Sequence, residues 1–436
     1  MKREKFSSKV GFVLACIGAA IGLGNIWMFP YRLGQYGGAA FLIPYFIFVF
    51  GLGTIGLMTE FSFGRRFKGG SSTGLSKILK GKGIKFNRLI SLIPAIGLMG
   101  VFMFYNIVIG WIIKYFGMSI TGNISKVDIP NYFNSFAGTS SSIFFNFIAI
   151  AITLGIVYIG VTKGIEKINK IIMPALFIIF ILLAIRSLTL PNAMEGVKYL
   201  LTPDFSYLLK PETWVMALGQ AFFTVSLNGC GMVVYGSYID KDFDIPKSAF
   251  STAILDTSAA LLVSFVIMPA VFSFGLDPQA GPPLLFITMP TIFKSMPGGH
   301  ILSVIFFLSI LFAAISSSIN MLEGPVEALM EKTKITRKKA SILVALIGFI
   351  LSIPLNLSMS GFDNFTNLIT IVISPIATLI VALTFYFMHG ADNVLEEVNI
   401  GAKRKLGDGF IVMGKYVFSI TTICVIVLGI VYGGIG

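Results

Sequence analysis

Gly18-Ala19-Ala20-Ile21-Gly22-Leu23-Gly24-Asn25, with Pro30 five residues on, lies in the middle of the first apolar run of this chain. Each glycine costs a helix about 1 kcal/mol relative to alanine. Three glycines and an asparagine in eight residues therefore weaken the helix at its centre. Close helix packing through small residues accounts for Gly18 and Gly22. It does not account for Asn25, a polar side chain in an apolar span. The stretch predicts a span broken at mid-depth.

A second stretch repeats the pattern. Gln220-Ala221-Phe222-Phe223-Thr224-Val225-Ser226-Leu227-Asn228-Gly229-Cys230-Gly231 sets four polar residues among glycines in the sixth apolar run. Unwound backbone at membrane depth is tolerated only where it lines a protein cavity. Two such breaks five spans apart imply two five-span repeats, and an odd repeat must be inverted in the membrane. Half-helix ends then offer free amides to a carboxylate and free carbonyls to a cation.

The rest of the chain supports this frame. Of 436 residues, 55% are hydrophobic and 12% charged, about half the charge of a soluble domain. Mean hydropathy is +0.87. Apolar runs at 11–33, 38–64, 88–121, 140–160, 165–187, 212–239, 246–275, 299–330, 339–356, 362–388 and 409–433 predict an all-α membrane protein of about eleven transmembrane helices. The expected units are 1–187 and 188–388 for the two repeats, then 389–436 for a loop and the eleventh helix. The net charge of +13 is topological. On this reading 26 of the 33 lysines and arginines fall on one side, which predicts a cytoplasmic N-terminus and an extracellular C-terminus. That placement gives no support to nucleic-acid binding. The basic start resembles a leader, yet the apolar run continues past any cleavage point. Cys16, Cys230 and Cys424 lack metal-ligand spacing. No paired histidines or paired mid-membrane aspartates suggest an enzyme, and no repeated filter suggests a channel.

Asp256 lies about ten residues into the seventh run. An intramembrane carboxylate is costly and marks a functional site by default.

These residues resemble the neurotransmitter:sodium symporter family, in its bacterial amino-acid branch. The likeness runs through Gly22-Leu23-Gly24-Asn25-Ile26-Trp27-Met28-Phe29-Pro30-Tyr31, Gly37-Gly38-Ala39-Ala40-Phe41-Leu42-Ile43-Pro44-Tyr45, Phe104-Tyr105-Asn106, the sixth-span stretch and Ser316-Ser317-Ser318. It implies a 5+5 inverted repeat with helices 1 and 6 unwound, plus one further helix. It also implies a plasma-membrane sodium:amino-acid symporter working by alternating access, with two sodium ions. One would be held by the Ala20 carbonyl, Asn25, Thr224, Asp256 and the substrate carboxylate. The other would be held by the carbonyls of Gly18, Ile21 and Ala313 with the hydroxyls of Ser316 and Ser317. Chloride-dependent members carry asparagine at position 256 and balance charge with an anion, here near Tyr45, Gln220, Thr224, Asp256 and Ala260. With Asp256 present, no chloride is expected.

The resemblance places the substrate carboxylate on the amides of Leu23 and Gly24 and the Tyr105 hydroxyl. Its side chain would meet Val101, Phe223, Ser226, Gly229, Ser317 and Met321. Gly229 stands where a leucine-selective member has a bulky aromatic, and Met321 can repack, so an aromatic amino acid is expected. The family's outer gate is an ion pair, but Met28 replaces its arginine. Asp363 or Thr366 falls near the partner position, and Arg32 lies one turn further out. The inner gate is expected to pair Arg3 with Glu331 beside Ser237 and Tyr238, with Glu60, Glu323 and Glu327 as packing charges. Gly164 and Pro174 match a motif at which the fifth helix can unwind. Expected partners are a small amino acid and lipid, in a monomer or homodimer. Proton coupling through Asp256, or a non-transporting sensor on this fold, are the alternatives.

Overall fold

Backbone in lipid must satisfy its own hydrogen bonds, which leaves helices as the economical solution for long apolar runs. A computed structural model describes residues 4–227, 229–278 and 284–434, and within them the ordered elements are helical throughout. Among the described residues, nine helices are long and apolar enough to cross a bilayer: Ala39–Phe67, Asn87–Ile120, Ser140–Ile159, Val161–Leu188, Ile245–Ser273, Gly299–Thr333, Arg337–Asn356, Met359–Asn399 and Asp408–Tyr432. A tenth crossing is the first span, Lys9–Ala20 and Gly24–Gln35, bent by 57° at its break. The expected sixth span is a pair of shorter helices, Pro211–Thr224 and Gly231–Gly236, on either side of a break. Two boundaries differ from expectation. The fifth span starts at Val161 with a widened π-type turn, and the tenth continues through another such turn at Thr384–Gly390 to Asn399. A π turn shifts helical register without ending the helix, so hydropathy alone does not find it.

The helices are knitted by short polar side chains. Asn106 on the third span bonds Ser318 on the eighth (2.9 Å), and Thr153 on the fourth shares that hydroxyl (3.0 Å). Asn146 and Ser142 on the fourth reach Ser352 and Asn356 on the ninth (2.7 and 2.9 Å). Such bonds are the usual glue between helices that gain little from apolar contact in lipid.

At the face bearing the N-terminus, charges interlock. Arg337 forks onto both oxygens of Glu323 at 2.7 Å each and reaches Glu4 at 3.2 Å. Tyr238 donates to Glu323, and Glu4 accepts from the Val161 amide. Glu166 accepts from the Ser7 amide and hydroxyl at 2.7 Å and from Ser8 at 2.9 Å. Of the expected Arg3–Glu331 gate, only the Glu331 side falls among the described residues. Arg3 lies outside the described residues, Glu331 is exposed, Ser237 bonds the Val234 carbonyl, and Tyr238 is engaged by Glu323. The Glu323 side chain is wholly buried, so removing its partner strands a charge. Arg337→Ala is expected to cost about 3 kcal/mol, the low end for a broken buried pair because the guanidinium keeps 11% exposure. Thermal unfolding in detergent checks this, with Glu323→Leu/Arg337→Leu recovering most of the loss. An unshifted midpoint for the single variant would refute it.

Candidate functional site

The two broken helices face each other. In the first, the helix stops at Ala20 and Ile21 is extended (φ −69°, ψ 105°). Asn25 holds the gap by accepting from the Gly22 amide at 3.1 Å. The next amide, Leu23, donates to the Tyr105 hydroxyl at 3.1 Å. In the sixth span Ser226, Gly229 and Cys230 sit at φ +62°, +96° and +63°. Residues with side chains hold that conformation only where the surroundings enforce it. Three neighbours supply that enforcement. Thr378 donates to the Leu227 carbonyl, Asn320 donates to Gly231 at 3.1 Å, and Glu60 accepts from the amides of Met232 and Val233 at 3.1 and 3.2 Å.

Between the breaks lies a cavity of about 40 Å³. Leu23, Gly24, Val101, Tyr105, Phe223, Ser226, Ser317 and Met321, all expected at the site, line it. Gly229 does not; its α-carbon faces Leu98. Asn228 lies outside the described residues. Thr370 of the tenth span joins the wall, which the sequence did not signal. Phe223 covers Gly24 so closely that a β-carbon there would come within 2.7 Å of the ring.

Asn25, Thr224 and Asp256 form one buried cluster beside the cavity. Asn25 Nδ2 lies 2.8 Å from Asp256 Oδ1 and 3.0 Å from Thr224 Oγ1, and Thr224 donates to Asp256 Oδ2 at 2.8 Å. Three helices supply these side chains, and Ala20 ends its helix at the cavity wall. A half-turn of the Asn25 amide would turn its oxygen towards the same pair. Gln220 cross-links the breaks by donating to the Gly24 carbonyl at 3.2 Å. Tyr45 lies 3.5 Å from Thr257, one residue along from Asp256, and Ala260 is buried on the same helix.

A second oxygen cluster surrounds Ser317. Its hydroxyl lies 3.2 Å from the Gly18 carbonyl, 3.1 Å from Ile21 and 3.3 Å from Ala313, while Ser316 donates to Ala313 at 2.8 Å. Every expected donor is present: three carbonyls from two helices and two hydroxyls. All are hard oxygens, the set that suits a small hard cation rather than a soft metal.

Among the described residues, no ion pair joins Arg32 to Asp363. Met28 is partly buried, Asp363 is exposed, and Arg32 is buried and donates to Gln220 at 3.3 Å. Gly164 sits in the π turn opening the fifth span, where a β-carbon would meet the Ile156 carbonyl at 2.2 Å, and Pro174 lies inside that helix. Glu60 proved more specific than a packing charge: it caps the half-helix Gly231–Gly236. A carboxylate at position 60 of an apolar run was the signal available for it.

Comparison with known proteins agrees with this fold. The model of the "Sodium:neurotransmitter symporter family" matches residues 3–146 and 138–433. An uncharacterized sodium-dependent transporter, YhdH of Bacillus subtilis, is 36% identical over 92% of this chain and 91% of its own. A similarly described transporter of Methanocaldococcus jannaschii is 32% identical over 93% and 86%. The crystal structure of MhsT in complex with L-phenylalanine superimposes with a TM-score of 0.87 at 36% identity, covering 98% of this chain and 99% of that one.

Proposed function

The chain belongs to the sodium:neurotransmitter symporter family, and from that premise we propose that it imports a hydrophobic, aromatic amino acid together with sodium, by alternating access and without chloride. The observation that carries this reading is the Asn25–Thr224–Asp256 cluster abutting the cavity wall. A substrate carboxylate held by the Leu23 and Gly24 amides and Tyr105 would lie beside those oxygens. Sodium bound there would gain a ligand from the substrate, and the substrate a counter-charge from sodium. Each then tightens the other by the same factor, which is what coupling requires. A second sodium ion is assigned to the Ser317 cluster. The aromatic preference draws on the L-phenylalanine in the MhsT structure and on the flexible Met321 in the wall. Gly229, set against Leu98, no longer contributes to it.

The membrane arrangement follows the same reading. Residues 1–187 and 188–388 form the two inverted repeats, with the N-terminus cytoplasmic and the C-terminus outside. The chain sits in the plasma membrane as a monomer or homodimer.

The test is uptake of labelled phenylalanine into proteoliposomes. An inward sodium gradient is expected to concentrate it and an inward proton gradient is not. Accumulation driven by protons alone would sink sodium coupling. Binding without flux under either gradient would favour a sensor. Competition by each of the twenty amino acids is expected to be strongest for the large hydrophobic ones.

A further inference from the structure

The fifth span carries a polar side chain that none of the preceding assignments uses. Asn169 lies midway between Gly164 and Pro174 and is wholly buried. Its Nδ2 donates back along its own helix to the Ile165 carbonyl at 2.9 Å, which fixes the amide plane. Its Oδ1 is buried with no donor bonded to it. An orphaned buried acceptor forfeits free energy, and native structures retain few of them without a reason. The direction of this oxygen supplies one. It points at Gly18: a β-carbon on Gly18 would come within 2.0 Å of Asn169 Oδ1 and 3.1 Å of the Ser316 β-carbon. Gly18 and Ser316 both belong to the Ser317 oxygen cluster, which is built from the first and eighth spans. Asn169 Oδ1 approaches Gly18 of that cluster from a third helix.

We propose that Asn169 Oδ1 is a further oxygen ligand of the cation held at the Ser317 cluster. The inference rests on assigning that cluster a sodium ion. Sodium takes neutral amide oxygens readily, and the other donors there are neutral too, so an added carbonyl dipole strengthens the site without adding charge. Asn169 also rides on the segment opened by the π turn at Val161–Glu166. Loosening that turn withdraws an oxygen from the ion, which links the integrity of the fifth helix to ion retention.

A purely structural role makes a different prediction from a ligand role. If Asn169 served only to bond the Ile165 carbonyl, aspartate would be harmful, because an ionised carboxylate cannot donate. If its oxygen serves the ion, aspartate keeps that oxygen and adds attraction. Binding of radioactive sodium to the purified full-length protein, without amino acid, separates the two. Asn169→Leu is expected to weaken sodium binding about tenfold, the usual size for one lost polar contact. Asn169→Asp is expected to tighten it. Should Asn169→Leu fail to give a monodisperse protein, Asn169→Ala is read in its place. Ser317→Ala is the reference. If Ser317→Ala weakens sodium binding and neither Asn169→Leu nor Asn169→Asp changes it, the inference is overturned while the two-ion assignment stands. Weaker binding in both Asn169 variants would mark a structural role and also overturn it. If Ser317→Ala itself leaves sodium binding unchanged, the two-ion assignment falls and the inference with it. Combined with Ser317→Ala, Asn169→Leu is expected to cost less than the sum of the single effects, because both act on one ion.

Discussion

Asp256→Asn is expected to abolish sodium-driven uptake in chloride-free medium, with partial recovery when chloride is supplied. Asp256 is wholly buried at the centre of the seventh span, and its two oxygens meet Asn25 and Thr224. It is the one carboxylate in that oxygen cluster. Asparagine preserves the shape and much of the hydrogen bonding, so the packing should survive. What it removes, on the proposed function, is the charge that would offset a sodium ion in a low-dielectric setting. Breaking such a buried pair costs about 3–5 kcal/mol, a loss of at least roughly a hundredfold in ion affinity. On the proposed reading, a diffusible anion restoring the balance would sit near Tyr45, Gln220 and Ala260. The measurement is initial uptake rate in matched gluconate and chloride media at constant sodium. Undiminished uptake by the variant in gluconate would refute the role assigned to Asp256.

Gly22→Ala is expected to weaken amino-acid binding as severely as any substitution that leaves the fold intact. A β-carbon at position 22 would stand 2.5 Å from the Tyr105 hydroxyl and 2.8 Å from the Ser317 hydroxyl. On the proposed function the two groups would serve different sites, the first the substrate carboxylate and the second the cation of the Ser317 cluster. Tyr105 must move aside to admit the methyl, and its bond from the Leu23 amide then lengthens or breaks. Losing one hydrogen bond to a charged group costs about 2–3 kcal/mol, or roughly 30- to 150-fold in affinity. Displacing Ser317 should weaken sodium binding as well. Equilibrium binding of labelled phenylalanine, together with sodium titration, would check both. An unchanged substrate affinity would mean that the carboxylate lies elsewhere.

Much of this site could be read from the sequence because its parts break a strong local rule. In an apolar span, Asn25, Asp256 and paired glycines stand out against their neighbours, and both clusters formed around residues of that kind. The charges of the N-terminal face could not be read in the same way. Glu323, Glu331 and Arg337 all lie near helix ends, where charge is ordinary. Which of Glu323 and Glu331 turns inward to the other charges depends on the helix face each occupies. Hydropathy does not fix that phase. The same limit applies to Thr370, which reaches the cavity wall two residues into the π turn Leu368–Ile373. Gly229 shows the opposite failure. It is a conformational glycine, at φ +96°, and its missing side chain reports the backbone rather than the room available to a ligand.

Glu60 has a mechanical consequence. By gripping two amides of Gly231–Gly236 it fastens that half-helix to the second span. Two glycine contacts tighten the seam: a β-carbon on Gly64 would meet the Val233 carbonyl at 2.0 Å, and one on Gly236 the Phe61 backbone at 2.6 Å. Backbone against backbone leaves no soft side chain to take up strain. The N-terminal half of the first helix is moored differently, through Ser7 and Ser8 on Glu166, near the aqueous boundary where water can replace each bond. The two broken helices are therefore unequal levers. One is held by backbone pressed on backbone, while the other is buried through its side chains and gathers charged moorings at its tip.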